Sequence, residues 1–314
     1  MVSTSILAVS SHLSPGIVAT AVGVPLQSGT TIVQLVVFAL LLGGIYGLVA
    51  LGLTMIFGVM DVINFAHGAL MVLAMYIVWS LSSASGLTPL VFIPIAVVAL
   101  FGVGILIHHF TIAPIMEAPQ ENQLIVTFGV MLILISSIEI AFSPNPRSYN
   151  IDLGSVGAAG VFIPEGQLYA LVISITAVIG MWLFLQRTQL GRAIRGTADN
   201  RSGAKFVGIN IKRIDYLTFG LGAALAGLAG AAIPLIQRFD PYIGDVYLIN
   251  AFVIVVLGGL GSFPGALLGG MIIGFVQVFG QFYLPGSVYQ VMIFMIFILV
   301  LLLRPEGLLG GKRT

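Results

Sequence analysis

Long apolar segments recur along the whole chain and constrain its fold more than any other feature. They occupy residues 31–57, 62–82, 88–109, 122–142, 167–186, 215–236, 246–283 and 287–303. A helix of about 20 apolar residues crosses the hydrocarbon core of a bilayer. Only 7% of the residues are charged, against about 25% in an ordinary soluble domain. This composition excludes a soluble enzyme and a nucleic-acid-binding protein, which needs a basic face.

The apolar segment 246–283 is too long for a single crossing. Glycines and a proline interrupt it at residues 258–265, where a helix is expected to break. We predict two shorter helices that meet there, and hence nine spans, with a re-entrant hairpin as the alternative. The predicted fold is an all-α, polytopic transmembrane helical bundle of about 8–10 spans, with a broken or re-entrant glycine-rich helix near 258–265.

The basic residues are divided unevenly between the loops. Seven of the 12 lysines and arginines lie in the loop 187–213, and three lie in the tail 304–314. Nine spans place both segments on one side, and Arg147 and Arg238 on the other. Because basic loops stay in the cytoplasm, we predict a cytoplasmic C-terminus and an N-terminus outside.

These assignments divide the chain into three parts. Residues 1–30 contain no lysine or arginine and do not resemble a signal peptide, so we interpret them as a non-cytoplasmic lead-in. Residues 31–303 form the predicted transmembrane domain, and 304–314 form a cytoplasmic tail. The non-cytoplasmic loop 143–166 is expected to fold over the mouth of the membrane part.

The loop 187–213 is the most highly charged stretch of the chain, yet it keeps apolar residues such as Ile194, Ala198 and Phe206. Its length and amphipathic pattern suit docking on a soluble partner. The alternative is an interfacial helix held at anionic lipids by its positive charge.

A polar cluster precedes and opens the second span. Asp61, Asn64 and His67 are spaced three residues apart, so a helix would place them on one face. Polar groups within the hydrocarbon usually face the protein interior or a cavity. They are candidates for a solute path or gate; alternatively, their hydrogen bonds tie neighbouring helices together.

Other polar residues within the spans are weaker candidates. Glu139 is a possible proton site, although a structural hydrogen bond is an equal alternative. Gln277, Gln281 and Gln290 are candidates for a polar lining.

The sequence lacks the patterns of the common catalytic and metal sites. It contains no cysteine, no nucleophile elbow and no zinc motif. The tail resembles a phosphate-binding loop only superficially, because Glu306 replaces the required glycine and Arg313 replaces the Ser/Thr. We therefore predict that the chain has no ATPase site of its own and is not an enzyme.

Four sequence blocks together resemble a known family. They are the glycine-rich run 43–58 leading into Ile-Asn-Phe-Ala-His-Gly at 63–68, the loop 192–210, the glycine motif 256–266 and Leu-Arg-Pro-Glu-Gly-Leu-Leu-Gly at 303–310. Their order resembles that of branched-chain amino-acid ABC transporter permeases, of the first of the two permease types in that system.

The resemblance implies a set of partners and a cellular location. These are a second, related permease subunit, two ATP-binding subunits that use ATP and magnesium, and an extracytoplasmic solute-binding protein, all at the cell inner membrane. The chain itself would bind no cofactor and no metal, and would contact lipid but no nucleic acid.

The resemblance also indicates functional residues. The family's coupling element, which contacts the ATPase, maps onto Arg192, Arg195, Ala198, Asp199, Lys205 and Gly208. A hypothetical substrate pathway joins the polar cluster to the glycine motif, through Asn64, His67, Gly68, Gly258, Gly259 and Gly261.

The predicted function is the translocation of branched-chain, hydrophobic amino acids, driven by ATP hydrolysis in separate subunits. Related permeases carry urea, short amides or sugars, so a urea/amide permease is one alternative. A stand-alone secondary transporter or channel, with Glu139 as its coupling group, is another.

Overall fold

The computed structural model describes residues 29–149, 151, 153–158 and 160–310. The helices are α1 (Gly29–Met60), α2 (His67–Ser85), α3 (Ile93–Ile107), α4 (Gln120–Phe142), α5 (Glu165–Arg187), α6 (Gln189–Asp199), α7 (Arg201–Phe206), α8 (Ile211–Ala232), α9 (Ile243–Gly258), α10 (Phe263–Tyr283) and α11 (Val288–Leu303). Two antiparallel strands, β1 (Ser155–Ala158) and β2 (Val161–Pro164), form a hairpin. Most of the predicted lead-in, and Lys312 and Arg313, lie outside the described residues.

Nine apolar helices account for the predicted spans. In the described part of the chain, seven are long and apolar enough to cross a membrane. The other two, α9 and α11, have 16 residues each, or about 24 Å of helix. The predicted multi-pass helical bundle is confirmed. The break is also where we predicted it, because α9 ends at Gly258 and α10 begins at Phe263.

The two ends of the bundle differ. At the hairpin end, which contains β1 and β2, the side-chain amide of Gln34 exchanges hydrogen bonds with the backbone of Phe162. The loops that carry Arg147 and Arg238 pair at this end through backbone bonds between Arg147 and Phe239. At the basic end lie α6, α7 and the last turn of α1, where Arg201 donates to the carbonyl of Val59. The structure thus separates the basic loop from Arg147 and Arg238, as the sequence predicts.

Helices α1 and α8 form the centre of the bundle, and small residues set their contacts. The Cβ of an alanine at position 270 of α10 would lie 2.5 Å from the backbone nitrogen of Gly47. On α8, a Cβ at Gly222 would lie 3.0 Å from the carbonyl oxygen of Gly52. Contacts this close exclude larger side chains, so these glycines bring the backbones of α1, α8 and α10 together.

The segment 61–66 turns back into the bundle before α2 begins. Asp61 reverses the chain with a φ of 55°. Its carbonyl accepts from Gln120, at the start of α4, and the carbonyl of Ile63 accepts from Thr127, about two turns further along α4. Helix α2 therefore begins inside the bundle, with His67 beside Val49 of α1.

Candidate functional site

The predicted polar cluster is buried where α2 begins. Asn64 and His67 are fully buried. The Asn64 side-chain oxygen accepts from the backbone N–H of Ala66 at 3.0 Å, and His67 Nε2 lies 3.1 Å from the carbonyl of Val49. Asn64 Nδ2 and His67 Nδ1 have no hydrogen-bond partner among the described residues. One polar atom of each side chain thus helps to hold the start of α2 in place. The other polar atom of each side chain is available for a further hydrogen bond.

Gly68 marks the crossing of α2 with α9. A Cβ on Gly68 would collide with the carbonyl oxygen of Gly244, and one on Gly244 would lie 2.5 Å from the carbonyl oxygen of Gly68. The position needs glycine because the two backbones touch. This packing role is compatible with the predicted pathway role, which stays a prediction.

The glycine motif lies at the basic end. Gly259 and Gly261 adopt positive φ values of 103° and 84°, which glycine tolerates best. A Cβ on Gly58, near the end of α1, would lie 2.9 Å from Gly261. The carbonyl of Gly258 accepts from Leu309 in the tail. The motif therefore packs between α1 and the tail, and its place in a substrate pathway also stays a prediction.

Three side-chain caps divide the basic loop into short helices. Thr188 Oγ1 accepts from the backbone of Gly191 at 2.9 Å, Asn200 Oδ1 from Gly203 at 2.7 Å, and Asn210 Oδ1 from Arg213 at 3.1 Å. Threonine and asparagine are favoured at this position because their oxygens satisfy the unpaired amides of a first turn. The sequence thus starts α6, α7 and α8 at defined points.

The helices α6 and α7 combine an anchored face with an open one. Ile194 and Thr197 are buried. Of the predicted coupling residues, Arg192, Asp199, Lys205 and Gly208 are exposed, and Arg195 and Ala198 are half-buried. Phe206 is 91% exposed and Val207 is 78% exposed. Two large apolar side chains thus project from the most highly charged part of the chain.

An ion pair connects these helices to the centre of the bundle. Arg201, the first residue of α7, donates to both carboxylate oxygens of Asp215, at 2.9 and 2.6 Å. The Asp215 side chain is only 5% exposed. Arg201 also donates to the carbonyl of Val59 at 3.3 Å. One guanidinium therefore joins α7 to α8 and to α1. Sequence reasoning missed this pair because its members lie 14 residues apart, on two different helices.

A cavity of about 620 Å³ lies at the hairpin end. Five glutamines from four segments of the chain line it: Gln34, Gln167, Gln237, Gln277 and Gln281. Sequence reasoning proposed Gln277 and Gln281 as a polar lining and missed the other three, which lie near the ends of apolar runs. The third predicted glutamine, Gln290, is exposed on α11. None of the six predicted pathway residues is among those that line this cavity.

Two ionisable residues of the apolar helices, Glu139 and His108, lie beside tyrosine side chains. Glu139 lies in the last turn of α4, where a hydrogen bond to Glu139 raises the pKa of the Tyr242 hydroxyl. His108 is 2% exposed and packs its ring on Tyr216 at a centroid distance of 4.5 Å. Within the described ranges, no group of three or more histidines and acidic residues could hold a metal ion.

The chain is similar to known permeases over most of its length. Residues 35–301 match the family model described as "Branched-chain amino acid transport system / permease component". The permease protein BraD of Pseudomonas aeruginosa is 32% identical, over 88% of this chain and 95% of BraD. LivH of Escherichia coli K12 is 31% identical over 86% of this chain and 92% of LivH. A probable LivH of Methanocaldococcus jannaschii is 30% identical over 87% of this chain and 90% of that protein.

The family match covers the first three of the four blocks that carry the resemblance, and the last block, residues 303–310, lies beyond residue 301. Together with the nine apolar helices, the matches agree on a multi-pass permease. The chain therefore belongs to the family of permease components of branched-chain amino acid transport systems.

Proposed function

We propose that this chain is the translocation subunit of an ABC importer for branched-chain amino acids in the inner membrane. The observation that carries the proposal is the likeness to the family over residues 35–301. BraD and LivH are both named as permease proteins of high-affinity branched-chain amino acid transport systems. Separate ATP-binding subunits supply the energy, a second permease completes the path, and an extracytoplasmic binding protein delivers the solute.

The basic end is the proposed docking face for the ATP-binding subunits, and it lies in the cytoplasm because basic loops are retained there. Its support is the pairing of a capped, preformed backbone with exposed apolar side chains at Phe206 and Val207. Large exposed apolar side chains at a polar surface are typical of protein interfaces. The Arg201–Asp215 pair then connects this face to α8 and α1.

The surroundings of Glu139 favour the ATP-driven importer over an ion-coupled transporter. A coupling carboxylate is expected in the bundle interior, facing a relay or a cavity. Glu139 instead lies in the last turn of its helix, beside Tyr242. A structural hydrogen bond is the simpler role for it.

Reconstitution tests the proposal. The chain is purified from its native membrane, and the complex is placed in liposomes with the binding protein outside and ATP inside. We expect two ATP-binding subunits and a second permease to co-purify, and ATP-dependent uptake of labelled L-leucine in preference to urea or ribose. Leucine uptake by the chain alone would refute the subunit assignment, and preferred uptake of urea would refute the substrate class.

A further inference from the structure

The cavity at the hairpin end is bounded by α1, α5 and α10. It runs along α1 from Thr30 to Ile45, sixteen residues that rise about 22 Å along the helix axis. Its volume of about 620 Å³ lies within the usual range of small-molecule sites. Just beyond its floor, α1 and α10 touch at Gly47 and Gly270. The cavity is therefore closed toward the basic end along this contact.

The polar part of the lining is neutral. Five glutamines line the cavity, whereas aspartate, glutamate, lysine and arginine are missing from the described lining residues. The remaining wall is largely apolar, with Phe38, Leu42 and Ile45 among its members. A ligand with a net charge would lose its hydration without gaining a counter-ion there. A molecule with opposite charges that cancel, or an uncharged one, fits the lining better.

Two tyrosines behind the cavity orient two of its glutamines, Gln277 and Gln237. The Tyr46 hydroxyl donates to Gln277 Oε1 at 2.5 Å and accepts from Asn250 at 3.0 Å. With its oxygen engaged, Gln277 presents its amide N–H groups as donors. Conversely, Gln237 Nε2 donates to the Tyr247 hydroxyl at 2.9 Å. That bond leaves the oxygen of Gln237 as an acceptor.

Gln167 adds a second acceptor beside Gln237. Its Oε1 atom is buried and has no hydrogen-bond partner among the described residues. The neighbouring Gly166 packs against the carbonyl of Leu235, so Gln167 and Gln237 share one wall, whereas Gln277 lies on α10. A buried acceptor without a donor is costly, and a bound donor would satisfy it.

We propose that this cavity is a binding site of the permease itself for a small zwitterion with an aliphatic side chain. The amide N–H of Gln277 donates to the ligand carboxylate, and the oxygens of Gln167 and Gln237 accept from its ammonium group. The aliphatic side chain packs against the apolar wall at Leu42 and Ile45. The inference rests on the proposed function, because the ligand is the amino acid that the binding protein releases.

The test uses ligands that lack either the carboxylate or the ammonium group of leucine, so that the two ends of the site are examined separately. Binding of labelled L-leucine is measured on the complete permease–ATPase complex without the binding protein, with competition by L-leucinamide and by 4-methylpentanoate at up to millimolar concentrations. Each competitor carries a net charge, so we expect it to bind the wild type more weakly than leucine does. For Gln277→Leu we expect the Kd for leucine to rise at least about tenfold, the loss of one hydrogen bond to a charged group. The Kd for leucinamide, which has no carboxylate, stays within about twofold.

Gln167→Leu tests the part of the site that accepts from the ligand ammonium group, and it leaves the hydrogen bond of Tyr46 in place. It should weaken leucine and leucinamide equally and leave 4-methylpentanoate, which has no ammonium group, unchanged. The matched control is Gln290→Leu, whose glutamine is exposed on α11, and it should bind all three ligands as the wild type does. A merely structural role of either glutamine would weaken all three ligands alike.

The outcomes separate the site from the proposed function. Leucine uptake by the wild-type complex with no leucine binding in the absence of the binding protein overturns the site and leaves the importer standing. If the wild-type complex neither binds leucine nor takes it up, both the site and the proposed function are overturned. Ribose or urea competing as well as leucine overturns the zwitterion as ligand, and so does equal behaviour of the Gln277 and Gln290 variants.

Discussion

Arg201 and Asp215 form a two-pronged ion pair, with N–O distances of 2.9 and 2.6 Å, between the first residue of α7 and the second turn of α8. The Asp215 side chain is 5% exposed and that of Arg201 is 40% exposed. Water therefore solvates the carboxylate poorly, and the guanidinium of Arg201 stabilises its negative charge. The same guanidinium also holds the carbonyl of Val59 on α1. A displacement of the docking helices therefore acts directly on both central helices.

Removing one member of this pair is expected to cost more than removing both. Arg201→Met leaves the buried Asp215 charge without a partner, a loss of about 3 kcal/mol. The double variant Arg201→Met/Asp215→Leu should recover most of that loss, because no lone charge remains. The melting temperature Tm of the purified complex measures the difference.

The double variant also tests whether the pair transmits motion. We expect it to assemble and hydrolyse ATP, but to transport fewer leucine molecules per ATP hydrolysed than the wild type, because the ion pair no longer joins α7 to α8. A wild-type ratio in a stable double variant would reduce the pair to a stabilising contact.

The crossing of α2 and α9 should be sensitive to a single methyl group. Gly68→Ala places a Cβ against the carbonyl oxygen of Gly244, and overpacking of this kind typically costs about 1–3 kcal/mol. Gly102→Ala on α3 is the matched control. A Cβ there meets nothing within 4 Å, and alanine favours a helix by up to about 1 kcal/mol. In thermal unfolding, Gly68→Ala should have a lower Tm than the wild type and Gly102→Ala a higher one. Equal Tm values would contradict the close crossing.

Phe206 is expected to contribute strongly to docking of the ATP-binding subunit. A large apolar residue that leaves water at an interface often dominates its affinity, so Phe206→Ala should reduce recovery of the ATPase subunits by at least about tenfold. Ile140→Ala, at an exposed apolar position of α4 near the hairpin end, should leave recovery unchanged. Pull-down through a tag on the permease measures both. Full recovery of the ATPase subunits with Phe206→Ala would show that the docking face lies elsewhere.

Asn64 offers a test of the predicted solute path. Asn64→Ser keeps an oxygen that can accept from the backbone of Ala66 but removes the unpartnered amide nitrogen. If that nitrogen meets the solute, the KM for leucine uptake rises while Tm changes little. Asn64→Leu also removes the acceptor of the Ala66 amide and should lower stability by about 1 kcal/mol. If the KM of Asn64→Ser equals that of the wild type, the role of Asn64 is to hold the start of α2.

The spans and the break were predictable because they depend on local composition. The length of an apolar run shows directly whether it can cross a bilayer. Consecutive glycines followed by a proline, as before Pro264, interrupt a helix whatever the rest of the fold. The split of the basic loop is equally local, since Thr188, Asn200 and Asn210 each cap the helix that follows them.

The cavity was not predictable, because its chemistry arises from residues far apart in the chain. Gln34 and Gln277 are 243 positions apart, and only the packing of α1 against α10 brings them to one space. The return of segment 61–66 into the bundle was missed for a similar reason. It depends on hydrogen bonds that Gln120 and Thr127 of α4 donate to the backbone carbonyls of Asp61 and Ile63.

Helix α1 has 32 residues, about 48 Å, so it is longer than the hydrocarbon core it crosses. One end holds the strand hairpin through Gln34, and the other holds the docking helices through the carbonyl of Val59. We expect such a helix to tilt as a rigid rod that pivots near the glycine contacts at its middle. A tilt of about 10° would shift each tip by about 4 Å, enough to widen or narrow the amide-lined cavity when the opposite tip is pulled.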